Sequence, residues 1–96
     1  MYVLVTYDVS TTTAEGRRRL SRVARTCLDF GQRVQNSVFE CEVDPAKFAE
    51  LKARLLDVID TQTDSLRFYF LGRNWRRRVD HFGAKPSIDM EGPLIV

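Results

Sequence analysis

Arg33-Val34-Gln35-Asn36-Ser37-Val38-Phe39-Glu40-Cys41-Glu42-Val43-Asp44-Pro45 holds two strands, a turn and a helix start in one short stretch. Arg33 to Gln35 and Ser37 to Val43 are β-prone runs around a tight turn near Asn36. In the second run Phe39, Cys41 and Val43 alternate with Val38, Glu40 and Glu42, so one face belongs to a core and the other is mostly polar. Asp44 then offers an N-cap oxygen, and Pro45 brings the fixed φ suited to a first helical position. A hairpin leading straight into a helix is the pivot of the fold.

Working outward toward the N-terminus, Tyr2 to Asp8 is apolar on both alternations until Thr6 and Asp8, the pattern of a central strand. Thr12 and Glu15 have capping-box spacing. Leu20, Val23, Ala24, Cys27 and Leu28 then recur at helical intervals, with Arg18, Arg22 and Arg25 on the opposite side and Gly31 as the expected helix stop. Toward the C-terminus, Phe48, Leu51, Leu55, Val58 and Ile59 mark a second buried helical stripe. Thr61 to Asp64 break it, and Ser65 to Leu71 form a last strand. The order βαββαβ specifies an α+β, ferredoxin-like fold, a four-stranded antiparallel sheet with two helices on one face.

This domain is expected to occupy residues 1–72, leaving 73–96 as a C-terminal tail. Val79 to Phe82 have the look of a short strand, and Pro93-Leu94-Ile95-Val96 is an apolar end. A sheet with one uncovered face and an apolar tail point to a homodimer whose tails add a strand to the partner's sheet. The alternative is a monomer whose tail folds over its own sheet.

Twelve of the fifteen basic residues are Arg, although the net charge is only +2. Arg17, Arg18, Arg19, Arg22 and Arg25 lie in a stretch without acids, and Arg73, Arg76, Arg77 and Arg78 cluster beside Trp75. Arg makes planar, two-pronged contacts to phosphate, so DNA or RNA is the expected partner, with Arg17, Arg18, Arg22, Arg76, Arg77 and Arg78 as contacts. Cys27 and Cys41 read as buried thiols, and the single His81 leaves multi-histidine metal sites and Ser-His or Cys-His schemes little to work with. No apolar run is long enough to span a bilayer, so no membrane partner is expected. Met1 leads directly into an apolar strand without a basic segment, and the cytoplasm is the expected compartment. Asp8, a carboxylate closing an apolar strand, is either an Asx-type turn residue or a metal ligand.

Tyr7-Asp8-Val9 after an apolar strand, the Arg33 to Glu40 segment, and Asp64-Ser65-Leu66-Arg67-Phe68-Tyr69-Phe70-Leu71-Gly72 together resemble the CRISPR-associated endoribonuclease family, the small partner of the CRISPR spacer integrase. Gly83-Ala84-Lys85-Pro86 is similar to one of its subgroups. The resemblance implies that Asp8 binds Mg2+ (or Mn2+), shared between two Asp8 at a dimer interface. It implies catalytic parts for Asp8, Arg33 and Phe39, with Ser37 in the same loop. It further implies an endonuclease acting on single-stranded RNA or double-stranded DNA during spacer integration. The alternative is a non-catalytic, DNA-binding adaptor bridging integrase subunits. An unrelated RNA-binding module would need exposed sheet aromatics, whereas Phe39, Phe68 and Phe70 are expected in the core.

Overall fold

The computed structural model describes residues 1–72, Asp80 and Phe82. Its elements follow the expected order: β1 (Tyr2–Asp8), α1 (Ala14–Leu28), β2 (Gly31–Gln35), β3 (Val38–Glu42), α2 (Pro45–Val58) and β4 (Ser65–Phe70). The sheet order is β2-β3-β1-β4, with every pairing antiparallel. Val3, Val5 and Tyr7 of β1, with Phe39 and Cys41 of β3, meet Val23 and Cys27 of α1 and Leu51 and Leu55 of α2 in one core. Burying such aliphatic side chains stabilises a domain by roughly 1.5–3 kcal/mol each.

The second helix begins as expected. Asp44 Oδ1 accepts from the Lys47 amide at 2.7 Å, and Pro45 occupies the first turn. The first helix begins one residue later than the capping-box spacing indicates, because Thr13 Oγ1 accepts from the Gly16 amide at 3.0 Å. Thr12 pairs its hydroxyl with Ser10 instead.

Three expectations are corrected at element ends. Gly31 does not cap α1: the cap is Asp29, and Gly31 already belongs to β2. Its small size is needed because a Cβ there would collide with the Glu40 carbonyl oxygen and Cys41 Sγ. Gly31→Ala is therefore expected to cost about 2 kcal/mol by overpacking, read as a melting temperature lowered by about 10 °C. Leu28 is 55% exposed rather than buried. The helix ends there, the Phe30 amide turns back to the Cys27 carbonyl, and the Phe30 ring packs against the core. Phe70 is 61% exposed, since β4 is an edge strand and Phe70 ends it with its ring edge-on to Phe48.

Candidate functional site

Asp8 ends β1, opposite Ser65 of β4. Strand alternation puts it with Leu4 and Thr6 on the sheet face turned away from the helices. It is exposed, and it forms no ion pair with a described residue. A groove of about 290 Å³ surrounds it, walled by Thr6, Ser65, Arg67 and Tyr69. Among the described residues the groove's cation is Arg67, held aside with its Nη1 donating to Tyr69 Oη at 3.2 Å. Among the described residues no three carboxylate, thiol or imidazole groups gather as a metal cage.

Arg33 and Phe39 form a unit on the other face. They are directly paired across β2 and β3, and Phe39 pairs in turn with Val5. The Arg33 guanidinium lies 5.2 Å from the centre of the fully buried Phe39 ring, which stacks on Tyr7 at 6.1 Å. Tyr7 Oη donates to the Asn36 carbonyl at 3.2 Å. Burial and the nearby Cys27 push the Tyr7 hydroxyl pKa up, while Arg33 opposes the shift. Within one chain, then, Arg33 and Phe39 come together and Asp8 lies across the sheet from them. Ser37 joins the Arg33 side, in a larger groove of about 590 Å³ between α1 and the β2–β3 turn.

Arg17, Arg18, Arg22 and Arg25 are all exposed along α1. Arg18 is lightly engaged by Glu15 at 3.4 Å, a surface pair worth little. Arg19 departs from the cluster. Its Nε donates to Asp64 Oδ2 at 2.9 Å. Asp64, whose side chain is wholly buried, also accepts from the amides of Ser10 and Asp60 and from the Thr63 hydroxyl. Burial alone would raise the Asp64 pKa, but these hydrogen bonds, Arg19's foremost, outweigh it and hold the carboxyl well below the usual range. This hub ties the β1–α1 loop to the α2–β4 loop, one residue from the Ser65–Asp8 pair. Arg76, Arg77, Arg78 and the rest of the tail lie outside the described residues, apart from Asp80 and Phe82, which are exposed and belong to no strand.

Cys27 and Cys41 are buried free thiols, as expected. Burial pushes their pKa values up to about 12 and about 11, so neither is a nucleophile at neutral pH. No described helix is long and apolar enough to cross a membrane.

Comparison with known proteins follows the same lines. The family described as CRISPR associated protein Cas2 matches residues 1–79. A Rhodospirillum rubrum protein called a CRISPR-associated endoribonuclease is 65% identical over 94 residues, covering 98% of this chain and 99% of its own. A Halalkalibacterium halodurans relative called a CRISPR-associated endonuclease is 56% identical over 95 residues, covering 99% of each. The crystal structure of Streptococcus pyogenes Cas2 at pH 6.5 superposes with a TM-score of 0.78 at 63% identity, over 86% of this chain and all of that one. The βαββαβ sheet, the strand-end carboxylate and these matches along nearly the whole length lead to one assignment: the chain belongs to the CRISPR-associated Cas2 family.

Proposed function

We propose that this protein is a Mg2+-dependent endonuclease of the CRISPR system that works as a homodimer during spacer integration. The observation that carries the proposal is Asp8, an exposed carboxylate with no described ion-pair partner at the end of the central strand. Two relatives that match along nearly the whole chain are called an endoribonuclease and an endonuclease. One chain offers a single carboxylate with the Ser65 hydroxyl beside it in the same groove, so the donors are hard oxygens but too few for a closed site. Mg2+ suits such a site because it keeps several waters and takes only one or two carboxylates. A second copy would supply the second Asp8. When bound, the ion would supply charge stabilisation at a phosphodiester and lower the pKa of water.

The remaining roles belong to the chain itself. Asp8 fixes the ion's position at the strand end. Arg33, across the sheet and backed by Phe39, attracts and orients the incoming phosphate chain. Asp8→Ala should abolish Mg2+-dependent cleavage of labelled single-stranded RNA and double-stranded DNA while leaving binding intact. Cleavage that survives this substitution at the parent's rate would remove Asp8 from the chemistry.

The second reading, an adaptor that holds DNA and bridges subunits of the spacer integrase, is favoured by the separation of Asp8 from Arg33 and Phe39 and by the open arginine face of α1. Its binding would be electrostatic and indifferent to base sequence. Neutralising Arg17, Arg18 and Arg22 together should flatten the slope of log affinity against log salt by about 2–3, near 0.9 for each phosphate no longer neutralised. An unchanged slope would move the DNA surface to the tail arginines, with Arg76 to Arg78 next. Arg19, committed to Asp64, should contribute nothing to that slope.

A further inference from the structure

The groove between α1 and the β2–β3 turn is built for more than charge. Arg17, Leu20, Ala24 and Leu28 follow one another at three- and four-residue intervals, so they form a single stripe along α1 facing it. Arg33 and Tyr7 stand opposite. Arg17 and Arg33 thus rim a floor that is aliphatic, and Arg25 extends the rim beside Ala24. No described acid lines the groove, and none of the three arginines is ion-paired with a described residue. Leu28 is the anomaly: a large apolar side chain, 55% exposed, on a helix whose other exposed residues include Arg17, Arg18, Arg22 and Arg25.

A duplex presents phosphates and sugars to such a surface and leaves an aliphatic floor without a partner. An unpaired nucleotide presents both parts, an anionic backbone and a flat apolar base. A volume of about 590 Å³ lies within the range of pockets that take one small ligand. The groove is also continuous in sequence with the strand-end carboxylate. Tyr7 lines both grooves, and Asp8 follows it.

Resting on the cleavage proposed at Asp8, we infer that this groove seats the base of one unpaired nucleotide on Leu20, Ala24 and Leu28, its flanking phosphates held by Arg17, Arg25 and Arg33. The strand then passes the end of β1 toward Asp8, which makes single-stranded nucleic acid the preferred substrate. Seating a flipped or unpaired base on apolar side chains while arginines track the backbone is a common division of labour in nucleic-acid enzymes.

The test is fluorescence anisotropy of the full-length protein with short labelled single strands of RNA and of DNA, and with a duplex of the same length. Leu28→Glu puts an anion on the floor at an exposed helix end, where the fold tolerates it. It should weaken single-strand binding about tenfold, the low end for seating one base, and leave duplex binding within about twofold. An abasic scan of the single strand, read on the unaltered protein, should find one position with a similar loss. That loss should vanish in Leu28→Glu, since the two changes remove the same interaction. RNA and DNA arms of equal strength identify the base itself as the ligand, and an effect confined to one arm adds a sugar contact. If Leu28→Glu weakens duplex and single strand alike, or if no abasic position matters, the base-seating groove is wrong while the nuclease proposal stands. If the unaltered protein binds no nucleic acid at all, both fail together.

Discussion

Replacing Asp64 by alanine is expected to lower the melting temperature by roughly 15–30 °C, more than any surface substitution in the chain. Asp64 accepts hydrogen bonds from the Ser10 and Asp60 amides, from Arg19 and from Thr63, with its side chain closed to solvent. Removing it strands two amides and leaves a guanidinium unanswered, and breaking such a buried pair costs about 3–5 kcal/mol. That is a large share of the ~5–15 kcal/mol that holds a small domain together. The same carboxyl sets an acid limb. Its pKa is depressed in the folded state, so its contribution is complete above the ordinary aspartate value of about 4 and is lost as pH falls below it. Urea melts at fixed protein concentration, run from neutral pH down to about pH 3, should show the parent losing stability along this limb and Asp64→Asn losing much less. Parallel acid limbs for the two proteins would show that Asp64 is not the titrating group.

The second large effect concerns the metal. If two Asp8 carboxylates share one Mg2+, the ion binds only the folded dimer, and at about one hundred times its dissociation constant it adds about 2.7 kcal/mol. For a domain of this size that is a rise of about 10 °C or more in melting temperature. Asp8→Asn keeps the shape, removes the charge and should erase the rise completely. Without metal, the variant should melt at or above the parent, because two facing carboxylates repel and two amides do not. A parent whose melting temperature ignores Mg2+ and Mn2+ would leave no shared ion site in the proposed dimer, and the adaptor reading would take precedence.

How much of this is legible in the sequence depends on whether the determinant is local. The βαββαβ order is readable because alternation in Val38 to Val43 and the Asp44-Pro45 start are local signals that the packing obeys. Asp8 is readable as a candidate because a carboxylate is out of place at the end of an apolar strand. Its separation from Arg33 and Phe39 is hidden in the register, since face assignment needs to know that Val5, Phe39 and Arg33 lie side by side. Asp64 reads as part of a helix breaker and of a family-like stretch, not as a buried hub, because its main partner, Arg19, lies 45 residues away. One trace does exist. Arg19 stands four residues before Val23 and seven before Thr26, on the flank of the buried stripe rather than on the open face with Arg18 and Arg22. Leu28 and Phe70 are expected in the core because periodicity cannot show where a helix stops or which strand is an edge.

The position of β1 between β3 and β4 has a consequence for synthesis. Of the four strands in this sheet, the earliest made is completed last, because one of its two neighbours begins only at Ser65. The ribosome needs roughly 3–12 s, at ~5–20 residues per second, to travel from the end of β1 to the end of β4. For that interval Tyr2 to Tyr7 is an apolar ribbon with an unfilled hydrogen-bonding edge, the kind of segment that pairs with a neighbouring nascent chain. Expression yield should therefore respond to whatever shortens or shields this wait, such as chaperone supply or codon speed between Val9 and Phe70, and be insensitive to codon speed within β1 itself.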